Sequence, residues 1–260
     1  MTNSALTMTK AAGQAVALAT QVRAGNVRAV SRLITLLESR HPDGIEGLRL
    51  VNLDRRTGTV IGVTGYPGAG KSTLISGLVA AYRRQGRKVA VLAVDVSSAV
   101  TGGALLGDRI RMREHALDPD VYIRSMATRG HQGGLARATD QARIVLEAAG
   151  YDVVLIETVG VGQNEADVVN VAPIVVAVVA PGLGDEVQAM KAGLLEQAHI
   201  IVVNKADHPG AGSALRELRE WFPTVIATVA TTREGLAELL AAIVARQQQL
   251  ETADAHQRPE

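Results

Sequence analysis

Seven short apolar runs recur along the chain, each closed by polar or glycine-rich residues. They are Thr59–Thr64, Lys88–Asp95, Val121–Ser125, Asp152–Thr158, Ile174–Ala180, Ile200–Asn204 and Val225–Ala230. Short, β-branched and apolar almost throughout, they predict strands buried on both faces. Between most of them lie stretches with apolar residues at helical spacing, among them Leu74–Arg84, Leu135–Ala149 and Ala214–Trp221. Strand and helix in alternation predict an α/β fold with a mainly parallel, doubly wound sheet and sites at the strand C-termini. Residues up to about Leu53 read as helical. There Val27, Val30, Leu33, Ile34 and Leu37 form one apolar face, and His41-Pro42-Asp43-Gly44 punctuates its end. A last helix is expected from about Gly235 to Gln249, followed by a polar, flexible tail over 250–260.

Composition narrows this picture. Hydrophobic residues make up 47% of the chain and aromatics 2%, so the core must be built from Val, Leu, Ile and Ala. The formal net charge of +1 gives no reason to expect nucleic acid or an anionic membrane as partner. Cysteine is absent, which excludes a disulfide framework and a thiolate metal site and makes a reducing, cytoplasmic setting the expectation. No cationic stretch followed by a long apolar run opens the chain, so no signal peptide is expected. The most apolar run, Val168–Ala180, is broken by Asn170 and Pro173 and is too short to span a bilayer.

The strongest chemical motif is Gly65-Tyr66-Pro67-Gly68-Ala69-Gly70-Lys71-Ser72, which fits G-x-x-x-x-G-K-[ST] and is followed by Thr73. A predicted strand precedes it and a predicted helix follows, the context this phosphate-binding motif needs. Gly65, Pro67, Gly68, Ala69 and Gly70 are expected to turn backbone N–H groups inward around an anion, and the helix beginning near Thr73 adds its positive end. Lys71 then reaches the β- and γ-phosphates, and the Ser72 hydroxyl ligates Mg²⁺. The expected division is a helical extension over 1–53, a nucleotide-binding P-loop domain over 54–249 and the tail.

The base is read from Asn204-Lys205-Ala206-Asp207, an N-K-x-D sequence closing the run Ile200–Val203. A carboxylate at Asp207 accepts two hydrogen bonds from guanine, at N1–H and the exocyclic amino group, where adenine offers neither donor. At roughly 1.5–3 kcal/mol for each charge-assisted bond, GTP or GDP is favoured over the adenine nucleotides by several orders of magnitude. The Lys205 stem can lie along the base, and the Asn204 amide can tie this turn to the phosphate loop.

Glu157-Thr158-Val159-Gly160 closes another apolar run and occupies the place of D-x-x-G. Such a carboxylate holds Mg²⁺, usually through water, while the Gly160 N–H meets the γ-phosphate. Asp95, at the end of an earlier run, and Asp108, in a glycine-rich stretch, are further candidate carboxylates. Glycine-rich stretches at 102–107, 130–134, 160–162 and 182–184 suit loops that order around a γ-phosphate. No glutamine follows Gly160 directly, and Gln163 stands three residues on, so slow intrinsic hydrolysis is expected.

These motifs together resemble the MeaB/ArgK/MMAA family of P-loop GTPases. The resemblance is carried by Gly65–Thr73, Asp95–Ser98, Thr101–Met112, Arg124–His131, Glu157–Gln163, Pro181–Glu186 and Asn204–Asp207, and it runs from roughly Gly25 to Ala242. It implies a GTPase chaperone of an adenosylcobalamin-dependent acyl-CoA mutase such as methylmalonyl-CoA mutase, one that gates cofactor delivery by a cobalamin adenosyltransferase and protects or reactivates the mutase. It further implies that Lys71, Asp95, Asp108 and Glu157 form the catalytic set, with Ser72 joining the three acids at Mg²⁺. Lys191 matches a lysine of the family's extra switch loop, and His131 reads equally as a solvated loop residue or a site residue. Members are typically homodimers, yet this chain stops soon after its last helix, where members continue into a dimerisation arm.

Several positions depart from the pattern. Val96 and Ala99-Val100 replace proline-containing elements, so the first switch is expected to be looser. The changed switch also allows a related client, such as an isobutyryl- or 2-hydroxyisobutyryl-CoA mutase. Thr228-Val229-Ala230 stands where Thr-Ser-Ala contacts the base; the Ala230 N–H can still serve, but the Val229 side chain cannot donate. Two other classes share the phosphate loop: nickel-type metal-insertion GTPases and small-molecule kinases. The first usually carries Cys or His clusters and the second an acceptor pocket, and the sequence displays neither.

Overall fold

Strands β1 (Thr59–Gly65), β2 (Val89–Asp95), β3 (Val121–Ala127), β4 (Val153–Thr158), β5 (Ile174–Val179), β6 (Ile200–Asn204) and β7 (Val225–Thr228) form one sheet in the computed structural model. Their order is β3-β2-β4-β1-β5-β6-β7, and every neighbouring pair is parallel. The helices are α1 (Thr2–Arg23), α2 (Val27–Glu38), α3 (Pro42–Asn52), α4 (Lys71–Arg84), α5 (Gly134–Ala148), α6 (Ala211–Trp221) and α7 (Leu236–Gln257). The structure describes residues 2–53, 57–95, 113–115, 117–127, 134–158, 171–182 and 195–257.

The seven apolar runs are the seven strands, within a residue or two at most ends. Alternate side chains feed opposite faces. Ile61, Val63, Val153, Leu155, Val176 and Val202 pack under α4 and α7. Val60, Ala90, Leu92, Val154 and Ile156 pack under α2, α3 and α5, while Ala177, Val179, Ile201 and Val203 pack under α6. The result is a three-layer α/β fold with P-loop NTPase topology.

The N-terminal helices belong to this packing rather than standing apart from it. The Asn26 side chain caps α2 by accepting from Arg28 N and Ala29 N at 3.0 and 3.1 Å. The buried face of α2 is Ala29, Val30, Leu33, Ile34 and Leu37, so Val27 falls outside the face predicted for it. Pro42, read as punctuation, is the first residue of α3, where a proline costs no hydrogen bond. Arg124 on edge strand β3 reaches Glu38 at 2.7 Å, and Tyr122 Oη lies 3.2 Å from Ser31 Oγ, which pins α2 to the sheet.

One boundary moves further. Helix α7 runs through Gln257, eight residues past Gln249, where a polar flexible tail was expected. Leu250 packs against the core, Thr59 Oγ1 donates to Gln247 Oε1 at 2.7 Å, and Gln247 Nε2 donates to Glu251 at 2.9 Å. Alanine, glutamine and glutamate are good helix formers, so polarity alone does not end the element. Among the described residues, no helix is long and apolar enough to cross a membrane.

Candidate functional site

The central strand β1 lies between β4 and β5, and the glycine loop leaves its C-terminal end. This is where the chain direction across the sheet reverses, the place where open α/β sheets bind ligands. Gly65 adopts φ 135°, and a Cβ there would overlap the carbonyl oxygen of Val178 on β5. Gly70 caps α4 at φ 95°, and no side chain satisfies the first N–H groups of that helix. Helix-starting amides left without a side-chain cap are the donors that a phosphate site uses. Pro67, Gly68 and Thr73 are exposed, while Ala69 is buried.

Lys71, Ser72 and Glu157 are drawn together below the loop, with 7%, 5% and 2% of their surfaces exposed. The Lys71 ammonium donates to Gly65 O at 2.6 Å and Tyr66 O at 3.0 Å, which holds it against the loop it serves. Ser72 Oγ donates to Glu157 Oε1 at 2.7 Å, across 85 residues of sequence. The pairing arises because β1 and β4 are neighbours in register Val63↔Glu157, so the carboxylate emerges beside the start of α4. Next along, Thr158 Oγ1 donates to Thr64 Oγ1 at 3.1 Å, a buried tie that sequence spacing could not reveal.

On the other side, Asn204 at the end of β6 joins the two halves of the site. Its Nδ2 donates to Ala69 O at 2.8 Å, while its Oδ1 accepts from Ala230 N at 3.0 Å and Thr228 Oγ1 at 3.1 Å. Lys205 takes a left-handed φ of 56°, which swings the chain so that Asp207 is exposed. Ala230 N, expected to meet the base, is thus engaged with Asn204. Val229 is buried, and its N–H donates to Glu234 O at 3.1 Å within the turn. Thr228 was named in the sequence only as the first residue of the Thr228-Val229-Ala230 motif; its buried hydrogen bond to Asn204 was not foreseen.

The backbone of Asp95 closes β2 opposite Ala127. The Asp95 side chain, Asp108, Gly160, His131, Gln163 and Lys191 lie outside the described residues.

A phosphate loop on a parallel sheet, facing an N-K-x-D turn that is hydrogen-bonded to it, defines a P-loop GTPase. The chain belongs to the family described as methylmalonyl-CoA mutase-associated GTPase MeaB, whose model matches residues 30–260. A putative GTPase of Pyrococcus abyssi is 50% identical over 232 residues, covering 84% of this chain and 72% of the relative. The GTPase ArgK of Escherichia coli K12 is 39% identical over 242 residues, covering 86% and 73%. A mouse protein described as a mitochondrial methylmalonic aciduria type A homolog is 42% identical over 193 residues, covering 69% and 46%. Among solved structures, one described as a LAO/AO transport system kinase superposes with a TM-score of 0.69 at 30% identity, covering 93% of this chain and 77% of that one. The hydrogenase maturation factor HypB of Archaeoglobus fulgidus, at TM-score 0.57 and 18% identity, shares the fold. The protein binds guanine nucleotides and is a GTP-hydrolysing enzyme.

Proposed function

We propose that the protein hydrolyses GTP with Mg²⁺ held at Ser72 and Glu157, and that its nucleotide state gates cofactor loading and protection of an adenosylcobalamin-dependent acyl-CoA mutase. The observation that carries the nucleotide half is the 2.7 Å contact between the Ser72 hydroxyl and the Glu157 carboxylate, at the foot of the phosphate loop. A hydroxyl and a carboxylate are hard oxygen donors of the kind Mg²⁺ prefers, so the residues present fit this ion. Bound there with the nucleotide, the ion would neutralise charge on the β- and γ-phosphates. Asp95 and Asp108 complete the proposed acidic set, and the Gly160 N–H the γ-phosphate contact.

The remaining tasks fall to the chain itself. Lys71 places a positive charge at the β- and γ-phosphates, and the first amides of α4 bind their oxygens. Asp207 selects guanine through two hydrogen bonds, and Asn204 keeps the base turn and the phosphate loop in one register. The mutase half rests on the family's description, in which methylmalonyl-CoA mutase is the named associate. An adenosyltransferase handing over the cofactor is the natural second partner, and self-association as a dimer accompanies the same reading.

GTP turnover measured with and without methylmalonyl-CoA mutase, and with an isobutyryl-type mutase alongside, tests both halves. The expected result is slow basal hydrolysis that one mutase accelerates, with ATP left untouched. Equal turnover of ATP removes the base assignment, and a rate indifferent to every acyl-CoA mutase removes the client.

A further inference from the structure

Ser76 lies four residues after Ser72, one turn along the same face of α4. A serine inside a helix usually turns its hydroxyl to solvent or back to a carbonyl of its own helix. Ser76 does neither. It is 6% exposed, and its hydroxyl donates to the carboxylate of Glu114 in the 3₁₀ turn Arg113–His115. His115, 9% exposed, sets Nε2 at 3.0 Å from Ser76 Oγ and 3.1 Å from Ser76 O. A carbonyl oxygen only accepts, so Nε2 carries a proton and donates it there. Glu114 Oε1 also lies 3.3 Å from His115 Nε2.

This cluster is a polar, directional tie one turn from Ser72; at the far end of α4 a second such tie runs from Arg83 to Asp118 at 2.9 Å and Asp120 at 2.7 Å. Leu74, Ile75, Leu78 and Val79 bury the apolar side of α4 and set its depth on the sheet. Apolar packing is non-directional and leaves rotation and sliding along the axis weakly specified. Two side chains bonded to one serine restrict that freedom at the end of the helix that carries Ser72. The bond from Ser76 is also the main influence holding the Glu114 carboxyl below its ordinary range, with burial opposing it and Arg233, in the turn after Ala230, adding to it. Two elements thereby meet at one point: α4 and the 113–115 turn.

We propose that Ser76, Glu114 and His115 are positioning residues for GTP hydrolysis: they lock α4 on the 113–115 turn and so hold Ser72 at its contact with Glu157. The inference rests on the reading of Ser72 and Glu157 as the Mg²⁺ end of the site. Displacing a reacting arrangement by about 1 Å is enough to slow an enzyme severely, which makes the seating of one helical turn consequential.

The test uses the full chain, with GTP turnover titrated against MgCl₂, GDP affinity by calorimetry without Mg²⁺, and thermal unfolding. Ser76→Ala is expected to raise the Mg²⁺ concentration for half-maximal turnover by about three- to tenfold, the scale of one lost hydrogen bond. Metal-free GDP affinity stays as in the wild type, and Ser76→Thr, which keeps the hydroxyl, recovers most of the loss. His115→Leu, which leaves Ser76 in place, gives the same shift and serves if Ser76→Ala does not fold. His115→Gln, which retains a donor near Nε2, remains closer to the wild type. An unchanged Mg²⁺ requirement in Ser76→Ala and His115→Leu, or a threonine variant no better than alanine, overturns the proposal. Wild-type turnover that ignores Mg²⁺ instead removes the underlying reading of Ser72 and Glu157, a distinct outcome.

Discussion

The side-chain nitrogen of Asn204 occupies the space that a Cβ on Gly70 would need. Gly70 closes the phosphate loop and Asn204 opens the guanine turn, so the two halves of the site meet in van der Waals contact where the motif demands a glycine. That glycine is required twice, because its φ of 95° is also strained for any residue with a side chain.

Gly70→Ala should therefore disconnect the halves. The substitution is expected to cost about 1–3 kcal/mol in backbone strain alone and to displace Asn204 from Ala69. Calorimetry should show guanine-nucleotide affinity reduced by at least about 100-fold while circular dichroism stays native. Wild-type affinity in this variant would contradict the close approach seen here.

Asp207→Asn exchanges a carboxylate for an amide at the exposed end of the base turn. GTP affinity should fall by at least about 100-fold, the loss of two charge-assisted bonds, and xanthosine triphosphate should become the better ligand. Competition of both nucleotides against a fluorescent analogue reads the outcome; retained preference for GTP refutes the role.

Glu157→Gln keeps an oxygen near the Ser72 hydroxyl but removes the charge. Nucleotide should still bind without metal, whereas the Mg²⁺ needed for half-maximal turnover should rise about tenfold or more, about 1.4 kcal/mol of lost ion binding. An unaltered Mg²⁺ titration would show that the carboxylate does not face the ion.

His199 supplies a pH dependence of stability. Burial, and then the charge of Arg246, lower its pKa from 6.5, and its Nδ1 accepts from Val175 N at 3.0 Å, a bond open only to the unprotonated nitrogen. The unfolded chain takes up this proton first as pH falls. The contribution is thus complete above about pH 6.5, declines as the solution is acidified below it, and levels off once the folded imidazole also titrates. Urea midpoints at several pH values should decline less for His199→Asn, whose amide oxygen can replace Nδ1 as acceptor. Identical slopes for both proteins would assign the acid sensitivity elsewhere.

Tyr82 is 3% exposed, and its hydroxyl has no hydrogen-bond partner among the described residues. Burial pushes its pKa up to about 12, with the charge of Arg87 opposing the rise. Tyr82→Phe should leave stability unchanged or raise it by up to about 1 kcal/mol, because it deletes a desolvated polar group without opening a cavity. A fall in the thermal midpoint would show that the hydroxyl is satisfied.

Local chemistry was legible in the sequence. Apolar β-branched runs such as Val153–Ile156 and Ile200–Val203 had to be strands, and all seven runs are; the inner ones are buried on both faces, while edge strands β3 and β7 are only partly covered. Gly65–Ser72 and Asn204–Asp207 were legible as phosphate-loop and N-K-x-D motifs because each is a short contiguous segment. Pairing between segments was not legible. Spacing along the chain could not show that Glu157 meets Ser72, that Asn204 takes the Ala230 N–H expected for the base, or that His115 and Glu114 clasp Ser76. Those contacts follow from β1 lying between β4 and β5 and from the depth at which α4 packs, which depend on the whole sheet closing together. The continuation of α7 to Gln257 has the same cause, since Leu250 and Gln247 find partners only once the first strand and the last helix lie side by side.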